Sequence, residues 1–388
     1  MLHRLAITTG DDYAPLGDAA VARLVECRVE MELSKAARFA LRFEEEICEQ
    51  KNELLDGDDP LLKRDTRVGI FTSFEKSDTI ECLLVGRVTK VRSSHIVGGR
   101  GSWVEVHGED RRVDMGKVHI NGTYTGLASE VVQQIVRQYG YNETRIDPTL
   151  IEYKKPQPQL TQSDTDLAFI ESIARANNMD FRIEYEVETG FDKAVSQVTE
   201  TAVLATSPPA DKSATGPLPP VLSKPEHVLR LNPAGDDCAN ITKFDGKIDY
   251  DKPNSAFGFA MDDAKERDVR SQLAEDPVVA DPSKLTETRK MFEARKDPAP
   301  PKPDPVAAQL AKESLVQEQS WFVEADCSAS SERLGFLVLP HAIVKVENMG
   351  PNLSGLYQVK TATHVFTPTD RLVDFTLRAN GFEESADG

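Results

Sequence analysis

Seven histidines, five cysteines and 64 acidic residues are the groups with the means to do chemistry in this 388-residue chain. The histidines are His3, His95, His107, His119, His227, His341 and His364. None stands in an HxH or HExxH pair, the spacings that bring two imidazoles to one zinc ion. His95, His107 and His119 recur every twelve residues, but in separate predicted strands and loops, so a shared metal ion needs a tertiary coincidence. The cysteines Cys27, Cys48, Cys82, Cys238 and Cys327 are odd in number and far apart, with no CxxC, and read as free thiols of a reducing compartment. The acidic run "FEEEICEQKNELLDGDDP" (43–60) holds Asp56, Asp58 and Asp59 without the ligand spacing or terminal Glu of an EF-hand, and reads as a solvated strand end and loop. No GxSxG elbow is present. "GGRGSW" (98–103) lacks the GK[ST] ending of a phosphate loop and reads as a hairpin turn. These residues demand no catalysis, and we expect no enzyme activity, no catalytic residues, no metal and no cofactor.

The elements that must position these side chains are mostly strands. The composition is that of a soluble protein, with a mean hydropathy of −0.40, and no apolar run is long enough to cross a bilayer. The start has no apolar signal-peptide region, so synthesis and assembly in a cytoplasm are expected. A formal net charge of −18 argues against stable nucleic-acid binding and against docking on anionic lipid, both of which gather Lys and Arg.

Up to about residue 121 the chain alternates in short runs. "VECRVEMEL", "ARFALRFEEEI" (with Phe39, Leu41 and Phe43 on one face), "TRVGIFTSF", "ECLLVGRVTKV" and "GSWVEVHGED" predict a small β-barrel or sandwich. Over 122–190 the period changes. "GLASEVVQQIVRQYGY" predicts a helix with Leu127, Val131, Ile135 and Tyr139 on its apolar stripe and Gly140 as its stop. "SDTDLAFIESIARANN" predicts a second, with Ser163 as cap, Asp164 and Asp166 at the positive end of the dipole, and Leu167, Ile170, Ile173 and Ala174 inward. "MDFRIEYEVE" then returns to strand. Fifteen of the 23 prolines lie between 201 and 320. We read 191–225 as a Pro-rich linker and 226–388 as a second β unit, interrupted at about 262–320 by a helical and Pro-rich segment. "VLRLNPAGDDCANITKFDGKIDYD" predicts two or three strands, "DDAKERDVRSQLAED" a helix with a thin apolar face, and "PVAAQLAKESLVQEQSWF" a better one. The last forty residues predict three strands with turns at "ENMGPNLSG" and "TPTD".

This order of elements resembles the phage late control D family, the tail hubs of contractile phages, and the hub portion of type VI secretion spike proteins and of phage-like contractile injection systems. Three places carry the resemblance. "GED" ends the first β unit with Gly108 and Asp110. The stretch from Gln159 through Phe169, with Asp164 between them, resembles a Q-x-x-x-x-D-x-x-F-like signature, Phe169 standing two positions beyond its strict spacing, and it runs on into "IARANNMDFRIE". Gly355, Tyr357, Val359 and His364 fit an sG-x-Y-x-V pattern followed by a histidine. Together these cover roughly 20–185 and 335–382.

The resemblance implies a mainly β (α+β) fold: two small tail-hub-type β-barrels, a two-helix insert after the first, and Pro-rich linkers before and within the second. It implies a structural role without an active site. Three copies, each with two barrels, would form a pseudo-sixfold ring. That ring would join the six-fold inner tube protein above to a three-fold, separately encoded spike protein below, beside other baseplate proteins and without membrane insertion. It places the protein in the cytoplasm during assembly and then in the baseplate of a particle. The type VI spike proteins continue into an oligonucleotide-binding fold and a β-helix that this sequence lacks, so a hub alone is expected. Alternatives of other classes are a different baseplate or tube adaptor, or a cell-wall hydrolase component.

Overall fold

The computed structural model describes residues 5–45, 59–74, 79–96, 101–149, 151–153, 160–190, 194–206, 227–231, 239–249, 255–262, 267–274, 296–298, 321–350 and 352–380. The protein is mainly β, as expected. One thirteen-stranded sheet forms its wall. Its first half holds β1 (Leu5–Thr9), β2 (Ala14–Pro15), β3 (Leu24–Glu32), β4 (Arg38–Glu45), β5 (Arg67–Ser73), β6 (Ile80–Ser94) and β7 (Ser102–Asp110). Its second half holds β15 (His227–Arg230), β16 (Lys243–Ile248), β20 (Val323–Ser330), β21 (Ile343–Glu347), β22 (Gly355–Phe366) and β23 (Arg371–Ala379). The order is β16-β20-β23-β22-β3-β4-β7-β6-β5-β1-β2, with β21 also on β22 and β15 on β21. Every pair is antiparallel except β15–β21.

The two β units anticipated from the sequence meet without a break, because Thr361–Phe366 of β22 pairs with Cys27–Glu32 of β3. Alternation explains the pairing. Cys27, Val29, Leu41, Phe43 and Val106 turn inward from one half, and Val359, Ala362, Phe366, Phe375 and Leu377 from the other, into one shared core. Burying each of the larger side chains contributes about 1.5–3 kcal/mol. The strand ends are as expected. "ENMGPNLSG" turns with Asn348 and Gly350 at positive φ, and "TPTD" closes with Thr367 N donating to Asp370 O at 2.9 Å.

The insert has its own core. Helix α3 (Ala128–Gln138) buries Val131 and Ile135 of the anticipated stripe together with Val132 and Val136 beside them, while Leu127 and Tyr139 at its ends are half-buried. Glu130 Oε2 accepts from Leu127 N at 3.2 Å, and Gly140 follows the helix at φ +64°. Helix α4 (Asp166–Ala176) packs Phe169, Ile170, Ile173 and Ala174 into the same core. Its cap is Thr165, whose Oγ1 accepts from Ala168 N at 3.3 Å. The expectation of Ser163 is thereby corrected: the capping oxygen must come from the residue just before the first helical one, Asp166. Both helices lie against a small sheet of β10 (Glu143–Ile146), β14 (Val195–Thr206) and β13 (Met179–Thr189), with β14 in the middle.

Strand β14 corrects the linker expected at 191–225. Its β-branched, alternating "VSQVTETAVLAT" buries Val198, Ala202, Val203 and Leu204, and the prolines begin only after it. Residues 207–226 lie outside the described residues. A second correction concerns "DDAKERDVRSQLAED". Arg267–Ala274 is a strand, paired with Ser255–Asp262, which also pairs with Lys296–Pro298. A helix there has little apolar stripe to bury, whereas strand pairing satisfies its backbone groups without one. The helix expected from "PVAAQLAKESLVQEQSWF" falls largely outside the described residues.

Candidate functional site

The groups that raised the question of chemistry are dispersed. Among the described residues, no three His, Cys, Asp or Glu side chains converge in a way that holds a metal ion. His107 pairs with Glu105 of its own strand at 2.8 Å, and His119 faces Asp164 at 3.4 Å on the surface. His227 stacks on Phe336 with ring centroids 3.7 Å apart. Cys27, Cys82 and Cys327 are buried. Burial raises all three thiols, Cys327 to about 12, so none is a thiolate at neutral pH. His3, Cys48, Cys238, Asp56 and Asp58 lie outside the described residues.

What the fold does concentrate is buried charge, at the joint where the insert meets the wall. Asp110, the last residue of β7, is 1% exposed and uses both oxygens. Oδ2 accepts from Ala37 N at 2.7 Å and from Arg112 Nη2 at 2.7 Å. Oδ1 accepts from Arg112 N at 2.8 Å. Arg112 reaches on into the insert, where Nη1 donates to Phe181 O at 2.8 Å. Burial acts to lower the pKa of Arg112, and Asp110 more than offsets it, so the net shift is upward and the guanidinium stays charged. Ser34, in the β3–β4 turn, completes this contact by donating from N and Oγ to Asp180 Oδ1, each at 2.9 Å.

A second node lies beside it. Glu200 of β14 is fully buried and sits between Arg67 of β5 and Arg111, each 2.5 Å away. The two guanidinium groups cover the rings of Tyr13 and Tyr141, each at 4.8 Å. Chemically, these nodes fix one body on another: planar arginine forks lock the orientation of the insert on the wall.

The residues singled out in the sequence fall in three places. Gly108 and Asp110 belong to the joint. A Cβ on Gly108 would lie 2.3 Å from the Phe39 ring and 2.4 Å from the Arg87 carbonyl, so only glycine lets these strands close. Phe169 is in the insert core, stacked on Tyr124, while Asp164 is on the surface and Gln159 lies outside the described residues. In that stretch the buried polar residues are Gln162 and Asp166. Gln162 takes the Tyr124 hydroxyl at 2.8 Å and donates to Asp166 Oδ1 at 2.8 Å, and Asp166 Oδ2 takes the Tyr139 hydroxyl at 2.6 Å. Their signal was the polar residue just ahead of an apolar helix, read instead at Gln159 and Asp164.

Gly355, Tyr357, Val359 and His364 are on β22. Gly355 opens the strand at φ +141°, Tyr357 donates its hydroxyl to Leu353 O at 2.8 Å, and Val359 is fully buried. His364 is 2% exposed, and its Nε2–H donates to Val338 O at 2.9 Å. Burial lowers its pKa to about 4, against a partial opposing effect of that bond. A histidine near 6.5 when unfolded and near 4 when folded binds its proton more readily in the unfolded chain. Its stabilising effect is therefore complete above pH 6.5 and is lost as pH falls to 4. We expect the urea midpoint to decline across that window by an amount equivalent to about 3 kcal/mol from this residue. In His364→Gln, which keeps an N–H donor, the difference from wild type should shrink as pH falls. Equal pH profiles for the two proteins would refute it.

No protein-family model matches the chain, and no curated protein matches it by sequence. Solved structures do match in fold. A tail protein from Neisseria meningitidis MC58 superposes with TM-score 0.63 at 12% identity, over 97% of this chain and 96% of that one. The 43 kDa tail protein of prophage MuSo2 from Shewanella oneidensis gives TM-score 0.61 at 13% identity, over 98% and 99%. A chain of the half-lidded Francisella PdpA–VgrG complex gives TM-score 0.52 at 10% identity, over 97% of this chain and 57% of that one. The wall, its insert and their order along the chain are thus the fold of phage tail proteins, in keeping with the resemblance to tail hubs.

Proposed function

We propose that this chain is a structural hub in the baseplate of a contractile phage tail or phage-like contractile injection system. In this reading it is a homotrimer whose six β units form a ring. The ring adapts the six-fold inner tube protein above to the three-fold spike protein below, with other baseplate proteins around it. The observation that carries the reading is the end-to-end match to two tail proteins over nearly the whole of both chains. The joined halves of the wall support it, since β22–β3 pairing holds two β units side by side in one subunit. The work is done by shape and symmetry, with no catalytic step and no stable hold on nucleic acid. The protein assembles in the cytoplasm and ends in the particle.

Light scattering and electron microscopy of the purified chain test this. The expected result is a mass about three times the chain's 42.9 kDa, in solution or on adding tube or spike protein, and three-fold particles with six lobes. A stable monomer that binds only sheath protein would assign the chain to another adaptor role. Cell-wall lysis by the purified protein would assign it to a hydrolase.

A further inference from the structure

Two strand edges of the fold are left open, and they carry opposite charge. Strand β6 is 15 residues long. On one side β5 covers only Ile80–Arg87, and Asp65 and Thr66 reach no further than Val88. Beyond Val88, β6 is paired with β7 alone among the described residues. Strand β13 is likewise paired with β14 alone. We propose that these two edges join between copies of this chain, Lys90–Arg92 of one copy running antiparallel to Glu186–Glu188 of the next. The proposal rests on the trimer of the hub reading and names its subunit contact.

The backbone of both edges is set for this pairing. Asp110 N donates to Ala37 O at 2.9 Å. Asp110, Gly108 and Val106 therefore turn their backbone groups to β4, and the residues between them turn theirs to β6. The bulge after Val88 places Lys90 and Arg92 opposite His107 and Glu105. Val91, between them, then points its N–H and C=O to the open side. On β13, Phe181 O is turned outward, where it accepts from Arg112 Nη1 at 2.8 Å. The pairing with β14 keeps one register up to Glu188, so alternation gives Val187 the same outward N–H and C=O. Val91 and Val187 are thus matched to exchange two hydrogen bonds as one antiparallel pair.

The side chains agree with that register. With Val91 opposite Val187, Lys90 falls opposite Glu188 and Arg92 opposite Glu186. A spacing of two puts both cations on one face of β6 and both carboxylates on one face of β13, where opposite charges attract across strands. All four residues are exposed, and none has an ion pair among the described residues. Glu105, opposite Arg92, is held by His107, while Glu186 and Glu188 face the uncharged Thr199 and Gln197. Val91, 38% exposed, gains an apolar neighbour in Val187. Within one chain β13 meets the other half of β6, where Tyr185 Oη donates to Val85 O at 3.3 Å, and Lys90 lies about 16 Å farther along the strand. Each copy offers one basic and one acidic edge, so the contact is head-to-tail, the kind that repeats into a closed ring.

The test measures the mass of the full chain by sedimentation velocity across protein and sodium chloride concentrations, alone and with tube or spike protein. Wild type should form trimers, less readily as salt rises. Lys90→Glu with Arg92→Glu, and separately Glu186→Lys with Glu188→Lys, should each weaken association about tenfold or more. Combining all four substitutions restores opposite charges and should recover most of the loss. Far-UV circular dichroism confirms that the variants, all at exposed positions, are folded. Val91→Cys with Val187→Cys should link copies covalently on mild oxidation, since opposed strand residues lie within disulfide reach, and neither single variant should. Charge reversals that leave the trimer intact, losses that the fourfold variant does not recover, or no link in the double cysteine variant overturn this contact and leave the hub reading standing. A wild type that stays monomeric in every mixture overturns both.

Discussion

Asp110→Ala is expected to destabilise the protein by about 3–5 kcal/mol, read as a fall in the urea midpoint at unchanged m-value. The loss comes mainly from the arginine left behind. Arg112 is 7% exposed in its side chain, so without Asp110 a cation is stranded in the interior. The N–H groups of Ala37 and Arg112 lose their acceptor as well. The sharper test is the double variant Asp110→Leu, Arg112→Met. Replacing a buried pair by apolar residues of similar volume is often close to neutral, so the double variant should recover most of what the single one loses. Hydrogen exchange should locate the damage, because Arg112 bonds Phe181 O across the joint. Amides of β13 and α4 should lose protection before those of β22 and β23. A loss below 1 kcal/mol, or uniform loss of protection, would show that the pair does not hold the insert to the wall.

The second large effect is expected at Glu200. Its removal leaves Arg67 and Arg111 facing each other without the carboxylate between them, and Glu200→Ala should cost about 3 kcal/mol, the lower end for breaking a buried pair. The lower end applies because the arginines are 22% and 17% exposed and have some route to water. Burial acts to lower the pKa of Arg111, and Glu200 more than offsets it. A double-mutant cycle with Arg111→Ala should therefore show a coupling of about 1–3 kcal/mol. Additive losses in that cycle would mean that Glu200 acts through packing alone.

Much of this architecture was legible in the sequence because it obeys local periods. Phe39, Leu41 and Phe43 alternate because successive strand side chains face opposite ways, and β4 buries all three. Val131, Ile135 and Tyr139 recur at four because a helix brings them to one face. The three closing strands and their turns were marked by Asn, Gly, Pro and Thr. The misreadings occurred where a local signal was weak or its neighbour louder. Val195–Thr206 alternates clearly, yet lies beside a proline-rich run that overshadowed it. Arg267–Ala274 has too few apolar residues to declare either period.

The sequence by itself determined most of the strands, the two helices of the insert and the stops between them, since each depends on residues within about one turn or one strand of each other. Only the tertiary structure decided how these parts lock. Asp110 meets Phe181 through Arg112, Glu200 gathers Arg67 and Arg111 from 133 and 89 residues away, and β22 finds β3 across most of the chain. A charge carries no mark of its partner in a linear sequence. Desolvation gives each pair its meaning only when folding closes water out.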